Sequence, residues 1–354
     1  MELPANREQM STVSFVVPVR NEEEFVEACL QSLVEQRYPP ADCEILVVDG
    51  RSSDRTREIV ETICRRHPQV RCLENPAGIV PVAMNIGIRA ARGEVILRAD
   101  GHTTYPPDYA ANCVKYLNET GADNVGGPCR TVPANESWGA QTVAAVLTSP
   151  YGVGNSRFRT CGEDGFVDTV PFGAFRREIF ERLGMYNEKL VRNQDNELNA
   201  RIRKAGGKIY LTRALSTCYH PVKTLPGLLQ YGFNTSRWHL FTLRESKNSM
   251  RPRHWAPGAF LMLLLLLLPA FPWSGLARFS FFGLLCVHLL GGCYWSWHSK
   301  DKQRLSVALL QPFACLAFHL AYGAGTYFGL WYLFREPSQE PIRPGLAVKP
   351  KMNG

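Results

Sequence analysis

Through the first third of the chain, apolar and polar positions fall into alternating blocks with two different periods. Residues 12–19 form an apolar run that predicts a strand. Residues 23–36 carry Phe25, Val26, Cys29, Leu30, Leu33 and Val34 at helical spacing. The alternation continues with a short strand at 44–48 and a helix at 54–67, where Ile59, Val60 and Ile63 share a face. A strand at 70–73 and a helix at 79–91 follow, the helix with Pro81 in its first turn. A strand at 95–99 and a helix at 108–119 complete the series. Strands alternating with helices predict an α/β fold with a mostly parallel sheet covered on both faces. Beyond Arg253 the pattern changes. Three stretches contain no Asp, Glu, Lys or Arg: 255–277, 279–299 and 305–334. A membrane-spanning helix needs about 20 mainly apolar residues, and each stretch meets that length.

Composition sharpens this division. The chain has 354 residues, of which 45% are apolar and 20% charged. Its net charge of +8 suits a nucleic acid, an anionic membrane or a phosphorylated ligand. Much of the basic excess flanks the apolar stretches, which argues against a nucleic acid. Lys247, Arg251 and Arg253 precede the first stretch, and Lys300, Lys302 and Arg304 separate the second from the third. Basic residues mark the cytoplasmic side, so both clusters belong there. Three spans would put the tail, with Arg335, Arg343, Lys349 and Lys351, outside, against the same rule. A re-entrant third stretch would remove the conflict. Trp255, Trp273, Trp295, Trp297, Trp331 and Tyr332 lie near the stretch ends, where amphipathic rings favour the headgroup level. The N-terminus, MELPANREQM, has no apolar core of a signal peptide, so the N-terminal domain is expected in the cytoplasm. The eleven cysteines are scattered, with no C-x-x-C pair and no zinc spacing, as expected of a reducing compartment.

Three polar groups fall at predicted strand ends, where open α/β sheets bind ligands: Arg20-Asn21-Glu22, Asp49-Gly50-Arg51 and Asp100-Gly101-His102. No G-x-G-x-x-G follows the first strand, so no dinucleotide cofactor is indicated. Asp49 can accept hydrogen bonds from a base N–H or a ribose hydroxyl. Ser52, Ser53 or Asp54 can cap the helix that follows, which accounts for part of the same motif. Asp100 and His102, two apart on an extended chain, point to one face roughly 6–7 Å apart. A carboxylate with an imidazole suits Mg²⁺ or Mn²⁺. Gly101 allows a diphosphate close to the backbone. Asp195 opens a helix whose apolar stripe is Leu198, Ile202 and Ala205, with Glu197 just inside. An acid there either serves its own helix or acts as a general base. Residues 225–241, with Gln230, Arg237 and Trp238, predict an amphipathic interfacial helix.

Taken in order, "VPVRNEE", "VVDGRSSDRT", "RADGH", "FGAFRREIFERLGMYNE" and "NQDNELNARIRKAGGKIY" resemble glycosyltransferase family 2 over residues 12–245. The narrower resemblance is to succinoglycan-type membrane glucosyltransferases that extend polyprenyl-diphosphate-linked sugars. It implies a GT-A fold, a Rossmann-like nucleotide-sugar domain at 1–245 that ends in an interfacial helix at about 224–243. A transmembrane domain at 246–354, with about three spans and a polar tail, would follow in the plasma membrane. It implies an inverting transfer from a nucleoside diphosphate sugar, most often a uridine diphosphate sugar, to a lipid-linked saccharide. Carried over by position, Pro18, Arg20 and Glu22 would line the nucleotide pocket, Asp49 would contact the uracil and Arg51 its surroundings. Asp100 would hold the divalent ion, with His102 standing where the family usually has a second acid. Asp195 would be the catalytic base, and Phe172-Gly173-Ala174 would face the donor sugar or the acceptor. Two other readings compete: a polyprenyl-phosphate monosaccharide synthase, which needs no general base, and a catalytically silent membrane scaffold with the same fold.

Overall fold

The computed structural model describes residues 11–160, 162–247, 249–299 and 304–335. The chain forms two compact units: residues 1–129 with 161–219, and residues 130–160 with 220–354. Residues 130–160 and 220–245 belong with the apolar C-terminal stretches.

In the first unit β1 (Val13–Val19), α1 (Val26–Val34), β2 (Cys43–Asp49), α2 (Thr56–Arg66), β3 (Val70–Glu74), α3 (Val80–Ala90) and β4 (Val95–Arg98) follow the predicted alternation. After β5 (Thr103–Thr104) come α4 (Tyr109–Thr120), β6 (Asn124–Gly126) and β7 (Cys129–Thr131). An eight-stranded sheet runs β3-β2-β1-β4-β9-β6-β10-β8, once β8 (Gly165–Phe166), β9 (Ala174–Arg176) and β10 (Ile209–Leu211) are added. β11 (Thr217–Tyr219) pairs with β5 in a small second sheet. The pairs β1–β2, β1–β4 and β2–β3 are parallel, whereas β9 runs antiparallel between β4 and β6. β2 is buried along all seven residues, as a strand covered on both faces must be.

The order of strands decides where a ligand fits. The chain steps outward from β1 to β2 and β3, then returns to place β4 on the other side of β1. The crevice at such a reversal, beyond the carboxyl ends of the strands, is the binding position of open α/β sheets. Val19 of β1 pairs with Asp49 of β2, and Arg98 of β4 lies opposite Val16. All three predicted polar groups thus leave the same edge. α7 (Arg177–Leu183) and α8 (Gln194–Lys204) follow β9 and complete this unit.

The second unit is helical: α5 (Trp138–Thr148), α6 (Pro150–Val153), α9 (Leu225–Arg237), α10 (His239–Glu245), α11 (Ala256–Leu267), α12 (Gly275–Trp297) and α13 (Leu305–Arg335). Among the described residues, only α12 and α13 are long and apolar enough to cross a membrane. The first apolar stretch, 255–277, is not one helix. Twelve residues of α11 reach about 18 Å, short of a hydrocarbon core of about 30 Å. Pro269 and Pro272 end the helix, because proline offers no N–H and clashes with the preceding turn. Arg278, which divides the first two stretches in sequence, sits inside α12 and donates to the carbonyls of Phe271 and Pro272 at 3.1 and 3.0 Å. A single charge in a hydropathy pattern therefore marks a satisfied turn rather than a helix end.

The predicted interfacial helix is two helices, α9 and α10, that meet at the buried Trp238. α9 packs on α13 with little room. A methyl group on Gly325 would lie 2.3 Å from the Phe233 carbonyl oxygen, and one on Gly329 would lie 2.3 Å from that of Arg237. Lys300, Lys302 and the tail beyond Arg335, with Arg343, Lys349 and Lys351, lie outside the described residues.

Candidate functional site

β4 ends in Arg98, a cation inside an apolar strand and only 6% exposed. A guanidinium so buried needs anionic partners. It donates from Nε to Asp100 Oδ1 at 2.9 Å and from Nη2 to Asp100 Oδ2 at 3.2 Å, and from Nη1 to Asp195 Oδ1. Burial works against the charge of Arg98, but Asp100 and Asp195 outweigh it and hold its pKa well above the ordinary value. The buried Tyr186 hydroxyl has its pKa raised by burial and by the charge of Asp195, against the opposing pull of Arg98. Asp195 and Asp100, distant in sequence, are thus brought to one group.

Asp195 stands on the first turn of α8, after Asn193 in the left-handed region at φ 61°. Its carboxylate is turned to Arg98 rather than to its own helix. Burial raises its pKa; Arg98 pulls the other way, and Asp100 adds to the rise. Asp195 Oδ2 accepts no hydrogen bond among the described residues. Glu197, its neighbour in the same turn, is committed to Arg201 at 2.7 Å and is part of the scaffold.

His102 Nδ1 meets Glu22 Oε1 at 3.1 Å, joining the loop after β4 to the loop after β1. Burial alone would lower the His102 pKa, but the Glu22 hydrogen bond and charge, with Asp100, leave it raised. Glu22 is itself held by its backbone N–H, which donates to Thr56 Oγ1 at 2.7 Å. Asp49, 2% exposed, ends β2 and accepts from Ser52 Oγ at 2.6 Å. Ser52 therefore serves Asp49 and the Asn21 N–H, and only Asp54 contributes to the start of α2, accepting from the Thr56 N–H at 3.0 Å. Asn21 and Arg51 both adopt left-handed backbone, at φ 57° and 59°, and Asn21 Oδ1 accepts from Ser53 N at 2.8 Å. Pro18 lies half-buried in β1; Arg20 donates to the Gly78 carbonyl at 2.9 Å, and the exposed Arg51 faces Glu74 at 3.6 Å.

Gly173 is fixed by its packing. Its carbonyl accepts the Arg98 backbone N–H at 3.0 Å, and a methyl group there would lie 2.3 Å from Asn124 Oδ1. The fold itself requires a glycine at this point, and Ala174 beside it is fully buried in β9. Phe172, at φ 46°, accepts the Tyr109 hydroxyl at its carbonyl.

With this geometry in hand, comparison with known proteins is informative. Residues 14–184 match "Glycosyl transferase family 2". The chain is 31% identical over 326 residues to "Succinoglycan biosynthesis protein ExoA" of Rhizobium meliloti (strain 1021), which spans 90% of this chain and 95% of that protein. The chain belongs to glycosyltransferase family 2. A second relative of this glycosyltransferase, 23% identical over 91% of the chain and 98% of its own length, is "Dolichyl N-acetyl-alpha-D-glucosaminyl phosphate 3-beta-D-2,3-diacetamido-2,3-dideoxy-beta-D-glucuronosyltransferase" of Methanococcus voltae. Among solved structures, the mannosyltransferase PcManGT from Pyrobaculum calidifontis, in complex with GDP-Man and Mn²⁺, matches with a TM-score of 0.63 at 20% identity, over 92% of this chain and 88% of that one. The fold of this glycosyltransferase is accordingly GT-A-like.

The donor set can be tested against a divalent ion. No group of three or more His, Cys, Asp or Glu side chains that could hold a metal occurs among the described residues. Mg²⁺ and Mn²⁺ sites in phosphate-handling enzymes need only one or two protein ligands, because substrate phosphates and water supply the rest. Asp100 offers a carboxylate. His102 offers Nε2, with Nδ1 fixed by Glu22 in the carboxylate–histidine arrangement that orients metal-binding imidazoles. These residues fit an ion that arrives with a diphosphate. The glycosyltransferase's Arg98 was not singled out from sequence, although a lone cation in the apolar run "VILRAD" is a usable signal.

Proposed function

We propose that this glycosyltransferase moves a hexose from a uridine diphosphate sugar to a hydroxyl of a polyprenyl-diphosphate-linked saccharide, with inversion at the anomeric carbon. The single observation that carries the reading is the convergence of Asp195 and Asp100 on Arg98 at the sheet's switch point. Asp195 Oδ2 takes the proton of the acceptor hydroxyl as its oxygen attacks the anomeric carbon. A bond forms from that oxygen to the anomeric carbon, the bond to the β-phosphate oxygen breaks, and its electron pair leaves with the nucleoside diphosphate. One displacement from the opposite face turns an α-linked donor into a β-linkage. A divalent ion held by Asp100 and His102 would stabilise the charge developing on the β-phosphate. Asp49 accepts from the base N–H, and Pro18, Arg20 and Arg51 border the nucleotide. Glu22 acts through His102, whose ring it orients.

A lipid-linked acceptor is supported by the apolar C-terminal helices and by the resemblance in motif order. The relative from Methanococcus voltae, named for a dolichyl phosphate sugar, adds to that support. The catalytic unit is assigned to the cytoplasmic side of a plasma membrane, in line with the basic residues Arg251, Arg253 and Arg304 around the apolar stretches. The test is product analysis. The full chain in nanodiscs is incubated with UDP- and GDP-sugars, polyprenyl-diphosphate saccharides and either Mn²⁺ or Mg²⁺, and the new linkage is read by NMR. A β-linked extension of the lipid saccharide from an α-linked donor supports the reading. A retained anomer, or transfer to bare polyprenyl phosphate alone, rejects it.

A further inference from the structure

Arg98 is embedded among Val95, Ile96 and Leu97, and its three guanidinium nitrogens each donate to an acid of the site. Among the described residues no other arginine or lysine pairs with Asp100 or Asp195. The contacts differ in kind. Asp195 is held by one oxygen, which leaves Oδ2 open to an acceptor. Asp100 is held by both oxygens in a parallel fork, the strongest form of an arginine–carboxylate contact. A cation that seeks Asp100 must therefore compete with a guanidinium that is always charged. A diphosphate changes that competition, because it offers the same guanidinium a second bidentate anion.

We propose that Arg98 is a positioning residue with two tasks: it fixes Asp195 with one oxygen free, and it withholds Asp100 from a divalent ion until a nucleoside diphosphate arrives, so that ion and donor enter together. This rests on the roles given above to Asp195 and Asp100. Lysine cannot substitute, since an ammonium is a point charge that cannot fork onto one carboxylate while reaching another.

The test measures Mn²⁺ binding to the full chain in nanodiscs by electron paramagnetic resonance, alone and with UDP or GDP. The wild type is expected to bind Mn²⁺ at least about tenfold more tightly with nucleotide, the scale on which one neighbouring charge moves a carboxylate's affinity for a proton. Equal affinity with and without nucleotide overturns the proposal, and this arm needs no variant to fold. Arg98→Gln is expected to bind Mn²⁺ alone more tightly than the wild type, a gain that a merely structural role would not produce. Arg98→Lys is expected to lower kcat about tenfold or more, because Asp195 loses its fixed orientation, and to raise the donor KM, because an ammonium offers the diphosphate no fork. An Arg98→Lys enzyme with wild-type kcat and wild-type Mn²⁺ affinity overturns the proposal. Asp100→Asn separates the two levels. If it binds Mn²⁺ with nucleotide as the wild type does, the assignment of Asp100 falls. If it loses the ion while the Arg98 variants behave as wild type, only the role of Arg98 falls.

Discussion

An acid in the first turn of a helix ordinarily answers the unpaired N–H groups of that helix. Asp195 instead meets a guanidinium 97 residues earlier, and that choice converts a common helix-start residue into a candidate base. Asp195→Asn keeps the shape and the Arg98 contact but removes the proton acceptor. Turnover is expected to fall by about 10²–10⁴, the usual contribution of general-base catalysis, while nucleotide binding measured by calorimetry stays near the wild-type value. Near-normal turnover would reassign the base. The acids were legible in the sequence because each lies where a strand ends or a helix begins. Arg98 was not, because a pattern of periods reads one cation in an apolar run as an ordinary strand position. Its function lies in a contact with Asp195 that no local window contains. At Gly173 the fold supplies what no local window contains: Asn124 occupies the space a side chain would need.

At the scale of elements, the βα alternation through α4 was readable because each element is long enough to show its period. The strands that follow have two or three residues, too few for alternation to register, and they were not read. What ties the readable strands together is partly polar. Glu44 of β2 is buried, yet accepts from Ser14 Oγ of β1 at 2.7 Å, from Arg71 Nη2 of β3 at 2.9 Å and from Arg92 Nε at 3.3 Å. Burial alone would raise the Glu44 pKa. The Ser14 and Arg92 hydrogen bonds, with the charges of Arg71 and Arg92, outweigh it and lower the pKa below the ordinary carboxylate range. The sign follows. A depressed folded pKa adds stability that is present above the unfolded value and is lost as pH falls through the folded one. Glu44→Gln is expected to lower the stability of the first unit at neutral pH by about 1–3 kcal/mol, the cost of groups left unpaired, and to flatten the acid side of its Tm profile. Thermal unfolding of the full chain followed between about pH 3 and pH 7 reads both. A variant whose profile parallels the wild type would remove Glu44 from the account of acid stability.

For the whole molecule the open question is which side of the membrane each end of α13 occupies. Length and apolarity qualify α12 and α13 equally, but their surroundings differ. α12 leaves Leu276, Phe279, Phe282, Val287 and Leu290 exposed, as a lipid-facing helix does. α13 is flanked on one side along most of its length. Gln311 donates to the Ala145 carbonyl of α5, Phe318 packs with Leu228 of α9, Gly325 and Gly329 meet the α9 backbone, and Tyr332 packs on Phe241 of α10. α5, α9 and α10 have 11, 13 and 7 residues, too short to cross a bilayer. α9 also carries Gln230, Asn234, Thr235 and Arg237, which fit the headgroup level rather than hydrocarbon. We read α13, which shares its depth with such neighbours at both ends, as lying along the interface, where the exposed Leu309, Phe313, Leu330 and Phe334 would turn to lipid. The same placement puts Arg335 on the side of Arg304, as the distribution of basic residues favours. Arg304→Cys and Phe334→Cys, each in a background without the native cysteines, are therefore expected to react with an impermeant maleimide from the same face of sealed vesicles. Reaction of Phe334→Cys only from the opposite face would make α13 a span, and the contacts along α9 would then belong to a helix that dips into the bilayer beside it.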